Sequence, residues 1–371
     1  MPVRSARSAR SRPTLPGDFE SRSSHRADAT VDGRWLLLGS GGRLAAYARN
    51  REGLLRWTQD RPGGSSWTGP DLFPLRDLTH LSIAQGADGY VHFLARRAVP
   101  KPEGPAAVDL VHAIQYQSGR PLTAWRSLGN PHKDRDKAER LGVPTGAVDD
   151  TGTLHVLVRN AGRGLMLRRE DKGGKWEGWR DLQGSMFQDA PAVMAAASGR
   201  IEVLLPGEEG AGRWVQPEPH TLPERAENIP VAMVPGTAVV LETAPDRATY
   251  YWTDPASGGI VAHRPGGWVI PLGGAPTGPV AALRATLDDY DCTVLAHCDP
   301  EGNVMLAACG TENEGAGLWW SPTGERGTGT PGLALDAYGK VVIAALTPDG
   351  GLWLARQNDE PGLAMGPSVR V

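Results

Sequence analysis

The chain repeats one strand-and-turn pattern seven times, and this repeat limits its possible folds more than any other feature. Each copy contains an alternating apolar run, a turn and a second apolar run, and the early copies add a Gly-rich turn and a Trp. The first inner residues of the runs are Arg43, Tyr90, Thr153, Arg200, Ala248, Cys292 and Lys340. Successive positions are 47, 63, 47, 48, 44 and 48 residues apart. Two polar insertions in copy two, AVPKPEGPAAVD and NPHKDRDKAER, account for the long interval.

A short run before each marked position predicts one more strand per copy, the innermost one. These runs are RWLLLGS, HLSIAQG, PTGAVDD, PAVMAAA, TAVVLET, PVAALRA and PGLALDA. They are rich in small and β-branched residues, as strands crowded around a narrow axis should be. The repeat therefore predicts an all-β fold, a seven-bladed β-propeller of four-stranded antiparallel blades. Closing the ring buries both faces of every sheet, although the sequence does not set the register of closure.

The composition agrees with many short strands joined by tight turns. The chain has 48 Gly and 31 Pro, yet 40% of its residues are hydrophobic and 12 are Trp, which disorder does not explain. We expect one propeller domain over residues 31–371. Residues 1–30 are rich in Arg and Ser, and they predict a disordered basic tail.

Charge and cysteine content limit the partners and the compartment. The net charge of −3 argues against a nucleic-acid partner. No apolar run is long enough to span a membrane or to form a secretory signal, so we expect a cytoplasmic protein. Its three cysteines, Cys292, Cys298 and Cys309, include no C-x-x-C pair and predict buried free thiols. A Cys292–Cys309 bridge remains open, and neither a metal nor a cofactor is predicted.

The repeat also carries a family resemblance. In the first copy it lies in GRLAAYAR, GLLRWTQ and GGSSWTG, on residues Gly42, Arg43, Leu44, Tyr47, Ala48, Arg49, Gly53, Leu54, Trp57, Gln59 and Trp67. In the third copy it lies on Gly152, Leu154, Val158, Arg159, Gly164, Leu165, Trp176, Gly178 and Trp179. This pattern resembles the tectonin-like and bacterial fucose-binding seven-bladed propeller lectins, most strongly in copies one to three. The resemblance implies sugar binding in aromatic clefts between blades.

Tryptophan supplies the candidate ligand-binding residues. Three fall on the predicted third strands, namely Trp57, Trp214 and Trp353. Four more fall near the fourth strands, namely Trp67, Trp176, Trp179 and Trp268. An indole face can stack on the apolar face of a pyranose. The alternative is that these rings fill the space between diverging outer blades.

The candidate catalytic residues are Asp149, Asp150, Asp336 and His80. Asp149 and Asp150 end one inner run and Asp336 ends another, so their carboxylates are expected near an axial mouth. Converging carboxylates can act as acid and base. The alternative is a turn in which Asp bonds its own backbone. The sequence contains no sialidase Asp box, nucleophile elbow, phosphate loop or H-E-x-x-H motif.

Two further features have both structural and functional interpretations. His92 and His155 occupy the same place in successive copies, which predicts hydrogen bonds between blades, with metal or catalytic roles left open. The charged insertion at 130–140, with His132, Lys133 and Arg135, is either a lid over the axial mouth or a solvated loop.

The function predicted first is ligand binding, with a glycan or another small polar or aromatic molecule as partner. The ligand is expected in inter-blade clefts or in the axial funnel. One alternative is an enzyme (a lyase, cyclase or hydrolase) with a single site in the funnel. A second alternative is a protein-interaction platform, which would expose a broad apolar face. The oligomeric state is not set by the sequence.

Overall fold

The computed structural model describes residues 28–171, 173–188 and 190–371, and it is a seven-bladed β-propeller. Each blade is a four-stranded antiparallel sheet whose strands follow one another along the chain. The predicted fold class is therefore confirmed. The predicted basic tail falls, for residues 1–27, outside the described residues.

The blades are numbered along the chain. Blade 1 contains β1 (Leu36–Leu38), β2 (Leu44–Arg49), β3 (Gly53–Gln59) and β4 (Trp67–Pro74). Blade 2 contains β5 (Leu78–Gln85), β6 (Val91–Val99), β7 (Ala107–Gln115) and β8 (Arg126–Ser127). Blade 3 contains β9 (Thr145–Val148), β10 (Leu154–Arg159), β11 (Leu165–Arg169) and β12 (Arg180–Asp181). Blade 4 contains β13 (Ala192–Ala195), β14 (Ile201–Pro206), β15 (Ala211–Val215) and β16 (Glu224–Ile229).

The remaining three blades repeat this order. Blade 5 contains β17 (Val239–Ala244), β18 (Arg247–Thr253), β19 (Ile260–His263) and β20 (Ile270–Gly273). Blade 6 contains β21 (Ala281–Leu287), β22 (Tyr290–Cys298), β23 (Asn303–Gly310) and β24 (Ser321–Arg326). Blade 7 contains β25 (Thr328–Leu335), β26 (Val341–Leu346), β27 (Leu352–Arg356) and β28 (Val369–Arg370). Every predicted inner run overlaps the first strand of a blade.

Antiparallel pairing gives the ring two distinct faces. Face A carries the turns between first and second strands and the loops between third and fourth strands. Face B carries the other connections and both ends of the described chain. This division decides which loops can meet around each mouth of the axial channel.

The ring closes by packing β1 against β25, with no strand shared between the first and last blades. The Trp35 indole N–H donates to the Thr330 carbonyl at 2.9 Å across this junction. A Cβ on Gly332 would lie 2.8 Å from the Leu36 Cβ and 3.1 Å from the Trp35 ring. Closure therefore requires a residue without a side chain at position 332.

A buried glutamine recurs where the third strand ends in blades 1, 4 and 7. Gln59, Gln216 and Gln357 each accept a hydrogen bond from the first N–H of the second strand. Each also donates to a carbonyl in the following loop, at 2.6–2.9 Å. Each glutamine thus satisfies two backbone groups at the point where strand pairing ends, which explains why glutamine recurs at this position.

The two insertions of copy two lie together on face B. A short helix, α1 (Arg135–Glu139), has Asp134 as its N-cap. The Asn130 amide donates to the Val108 and Ala138 carbonyls, and the Glu139 carboxylate accepts from the Ala106 N–H. Residues 130–140 do not line the axial cavity, so the lid hypothesis is wrong. They pack on blade 2 because these hydrogen bonds and Leu141 hold them there.

All three cysteines are free thiols, so no Cys292–Cys309 bridge forms. Cys298 and Cys309 are buried, whereas Cys292 is half-buried. Burial raises the pKa of Cys298 to about 11 and that of Cys309 to about 12. Both thiols are therefore protonated at neutral pH and unreactive as nucleophiles.

Candidate functional site

An axial cavity of about 810 Å³ runs between the seven inner strands. Its walls are mostly small apolar side chains, because these are the residues that fit where the inner strands converge. A few ionisable groups also line it, namely Asp32, Arg34, His80, Asp149, Asp150 and Glu242. A volume of this size matches that of small-molecule sites.

Asp149 ends β9 at the face A mouth, but its carboxylate is buried and fully hydrogen-bonded. It accepts from the backbone N–H groups of Thr151 and Thr153 at 3.0 and 2.9 Å, and from the Thr151 hydroxyl at 2.7 Å. The His155 Nε2 lies 3.1 Å away. Burial raises the pKa of Asp149, but the hydrogen bonds from His155, Thr151 and Thr153 outweigh it and lower the pKa. Asp149 is therefore a permanently charged turn cap and unsuited to proton transfer.

Asp336 has the same role in blade 7. Its carboxylate accepts from the N–H groups of Tyr338 and Lys340 at 2.9 and 3.0 Å, and from Arg356 Nε at 2.5 Å. It is buried within its blade and does not line the cavity, contrary to the expectation that it lies near the axial mouth. The turn interpretation holds for Asp149 and Asp336 alike.

His80 lines the cavity near face B, far from these carboxylates. By the strand registers, Asp149 of blade 3 is equivalent to Gly86 of blade 2, and Gly86 lies six residues after His80. Six residues of extended strand span about 20 Å along the axis. The structure therefore brings only Asp149 and Asp150 together among the four catalytic candidates.

His220, from the loop after β15, joins Asp149 and Asp150 across the junction of blades 3 and 4. Its Nδ1 lies 3.3 Å from Asp149 Oδ2, and its Nε2 lies 3.3 Å from Asp150 Oδ1. One ligand atom from each of the three residues lies within 4.8 Å of the others, an arrangement that could hold a divalent cation. Sequence spacing could not reveal this cluster, because His220 is some seventy residues away.

The predicted inter-blade bonds of His92 and His155 are wrong, because both histidines bond within their own blades. His155 bonds Asp149 of blade 3. His92 Nδ1 lies 3.1 Å from Nε2 of His112 on β7, with the two rings stacked at 5.3 Å. Burial lowers the pKa of His92 to about 4. Burial, helped by the charges of His92 and Arg126, lowers the pKa of His112 to about 3.

The three third-strand tryptophans, Trp57, Trp214 and Trp353, are at most 1% exposed. The Trp214 indole N–H donates to the Leu182 carbonyl of blade 3 at 3.0 Å. Trp353 bonds the Arg326 carbonyl of blade 6 in the same way, at 3.0 Å. Trp214 and Trp353 thus link neighbouring blades, and all three rings are too buried to meet a ligand, so the ligand-binding prediction is limited to the other four tryptophans. Among those, Trp67, Trp176 and Trp179 are half-buried and Trp268 is 92% exposed.

The cleft between blades 2 and 3 combines aromatic and cationic groups. Arg168 of β11 occupies the place of the buried tryptophans Trp57 and Trp214 of blades 1 and 4, as the strand registers show. Its guanidinium lies 5.7 and 5.9 Å from the rings of Trp176 and Trp179. It also donates to the Leu128 carbonyl of blade 2, as Trp214 does to its preceding blade. The Trp176 ring lies 5.6 Å from the His112 ring, and Trp179 Nε1 is buried with no partner in the described chain.

Buried ionic groups fill the corresponding space at two other junctions. Between blades 4 and 5, Glu202 accepts from Arg213 at 2.7 Å and from the Tyr250 hydroxyl. Between blades 5 and 6, Glu314 accepts from Arg264 at 2.7 Å and from the Tyr251 hydroxyl at 3.1 Å. These carboxylates are satisfied by the protein, so they hold the blades together.

Exposed aromatic residues are concentrated on face A. In the described chain, the aromatic residues among the large exposed apolar side chains are Tyr90, Tyr116, Trp268, Tyr290, Trp319 and Tyr338. All six lie in turns or loops of face A, or at the strand end beside one. The remaining large exposed apolar residue, Met186, lies on face B. Face A is therefore the surface best suited to contact a partner.

Sequence reasoning missed Arg34, Arg168 and His220. Arg168 could have been found by aligning third strands, where it takes the place of Trp57 and Trp214. Arg34 and His220 have no signal in a single sequence, because their roles depend on which groups they meet in the folded ring.

No protein-family model matches this sequence, and no curated protein matches it either. Solved structures do match the fold. The BP39L lectin of Burkholderia pseudomallei aligns with a TM-score of 0.65 and 13% identity over 90% of this chain and 97% of that one. AofleA of Arthrobotrys oligospora aligns with a TM-score of 0.51 and 12% identity over 92% and 98%. The Hadza microbial sialidase Hz136 aligns with a TM-score of 0.51 and 14% identity over 72% and 63%.

These comparisons confirm, for the fold, the resemblance to seven-bladed propeller lectins that the repeat suggested. No helix in the described ranges has the length and apolar character needed to cross a bilayer.

Proposed function

We propose that the protein is a carbohydrate-binding propeller whose main site is the cleft between blades 2 and 3. The observation that carries this proposal is the pair of half-buried indoles, Trp176 and Trp179, held beside Arg168. Each indole can offer a face to a sugar ring. The Trp179 N–H is buried without a partner in the described chain, so a shift of this ring on binding would let it donate to a sugar hydroxyl.

The similarity to lectin structures supports this class of ligand. The BP39L lectin matches this chain over nearly the whole ring. The tectonin-like character of the repeat, suggested by the first three copies, is part of the same proposal.

A glycan array followed by calorimetry tests the proposal. Trp176→Ala should weaken binding of the best glycan about 30-fold, since loss of a central stacking aromatic costs about 2 kcal/mol. Trp179→Phe keeps an aromatic ring but removes the N–H, so it should weaken binding about fivefold, or about 1 kcal/mol.

Trp319→Ala is the matched control, because it removes an exposed indole from face A outside the cleft. It should leave affinity unchanged. If no glycan binds, or if Trp319→Ala weakens binding as much as Trp176→Ala does, the cleft is not the sugar site.

A protein-interaction platform is the second candidate, because the exposed aromatic residues concentrate on face A. Such a platform should lose its partner when Trp268 and Trp319 are both changed to Ala, whereas Met186→Ala on face B should have no effect. Affinity capture with these variants distinguishes the two functions, since glycan binding in the cleft does not involve either tryptophan.

The enzyme alternative receives less support. Asp149 and Asp336 cap turns, and His80 lies about 20 Å along the axis from the Asp149 position. We also propose a cytoplasmic location, which the three free cysteines support.

A further inference from the structure

Among the described residues that line the axial cavity, Arg34 is an arginine without a hydrogen-bond or ion-pair partner. Arg34 precedes β1 near face B, yet it also lines a shallow pocket with Leu38, Gln85 and Asp88 at the opposite ends of the inner strands. Its side chain therefore extends along the axis toward the face A mouth. It is accessible from inside the cavity.

Within the described residues, Arg34 makes no hydrogen bond and no ion pair. The four acidic residues of the cavity are engaged elsewhere. Asp32 pairs with Arg49 at 2.6 Å, and Glu242 accepts from the N–H groups of Ala197 and Asp246 at 2.8 and 3.0 Å. The other two, Asp149 and Asp150, bond His220 and their own turn.

Arg34 is exposed to the open space of the cavity, while the protein surrounds that space on its sides. This enclosure lowers the pKa of Arg34, and no neighbouring carboxylate counteracts the effect. The guanidinium is therefore a cation inside the ring that is available to pair with an anion.

The apolar walls of the cavity and the charge of Arg34 together determine which kind of ligand fits the cavity. The cavity is lined by small apolar residues such as Ala192, Val193, Ala238, Val240 and Val280. A guanidinium binds a planar carboxylate through two parallel hydrogen bonds. A doubly charged phosphate would leave excess negative charge near Asp149, Asp150 and Glu242, so one negative charge matches the site better.

We propose that the axial cavity is a second binding site, independent of the glycan cleft, that takes a small organic acid. Its single carboxylate pairs with Arg34 and its compact apolar body packs against the inner strands.

Paired probes test this inference on the full chain. Benzoate and cyclohexanecarboxylate are compared with benzamide and cyclohexanecarboxamide, which have the same shape without the charge. Ligand-observed NMR and calorimetry should show at least tenfold tighter binding of each acid than of its amide. Arg34→Gln should abolish this preference and Arg34→Lys should reduce it. Arg61→Gln, which removes one exposed surface charge, should keep it.

Equal binding of acid and amide by the wild type, or a preference that survives in Arg34→Gln, would overturn the proposal. Displacement of benzoate by equimolar inorganic phosphate would also overturn it, because the site would then recognise any anion. The thermal unfolding midpoint of ligand-free Arg34→Gln should be unchanged or higher, whereas loss of a structural arginine would lower it. Glycan binding by Arg34→Gln should be unaffected, so failure here is separable from failure of the glycan site.

Discussion

The stacked pair His92 and His112 should make the propeller sensitive to mild acid. Both side chains are at most 5% exposed, and their rings share one hydrogen bond. In the folded protein their pKa values are about 4 and about 3, whereas an unfolded histidine has a pKa of about 6.5. Between these values the unfolded chain binds more protons than the folded one. Stability therefore falls as the pH drops below about 6.5, and it continues to fall until the folded pKa values are reached.

The size of this effect follows from the same values. At pH 5 each histidine contributes a loss of about 2 kcal/mol relative to pH 7.5, or about 4 kcal/mol for the pair. The repeat supplies apolar replacements, because blade 7 has Val342 and Leu354 at the equivalent positions. The double variant His92→Val/His112→Leu should therefore lack this part of the pH dependence.

Urea unfolding of wild type and variant at pH 7.5 and pH 5.0 measures the difference directly. Other titrating groups remain in both proteins, so their contributions cancel in the comparison. If both proteins lose the same free energy of unfolding on acidification, the reasoning is refuted. Ring-proton NMR gives an independent check, since an apparent pKa near 6.5 for either histidine would also refute it.

Three other substitutions test the structural assignments. Trp214→Leu should lower the free energy of unfolding by about 2–4 kcal/mol, since it leaves a cavity and an unpaired Leu182 carbonyl, whereas Trp268→Leu should change it by less than about 0.5 kcal/mol in denaturant titrations. Glu314→Ala should cost about 1–3 kcal/mol by leaving the buried Tyr251 hydroxyl without its acceptor and removing the partner of the half-buried Arg264, and hydrogen exchange should increase first at the junction of blades 5 and 6. Gly332→Ala should destabilise ring closure by about 1–3 kcal/mol in calorimetry, while Gly315→Ala, with open space around it, should have little effect.

The number of blades and the place of each strand could be predicted from the sequence, because apolar runs recur at a nearly constant interval. The closure between β1 and β25 could not, since the repeat is the same whichever strand comes first. It depends on local contacts such as that of Trp35 with Gly332. The sequence pattern also could not say which tryptophans are buried. Strand alternation separates two faces, but in a propeller both faces are covered by neighbouring blades.

The site was less predictable, because single residues change roles between copies. His92 and His155 hold the same repeat position, yet one bonds a histidine and the other a carboxylate. In blade 4 the same position holds Glu202, which reaches across to Tyr250 of blade 5. A shared position therefore fixes where a side chain lies in its blade but not the partner that it meets.

The contacts between blades explain how the fold persists with so little sequence similarity. In three blades a donor on the third strand reaches a carbonyl of the preceding blade, and the donor is Trp214, Trp353 or Arg168. Because chemically different residues make this contact, the ring constrains the sequence weakly. That is consistent with 13% identity over nearly the whole BP39L lectin. The same drift leaves the junctions unequal, with indoles and a cation at one and satisfied ion pairs at two others. A ligand that stacks on aromatic rings should therefore occupy few of the seven clefts between blades, and fewer than seven glycans should bind per chain.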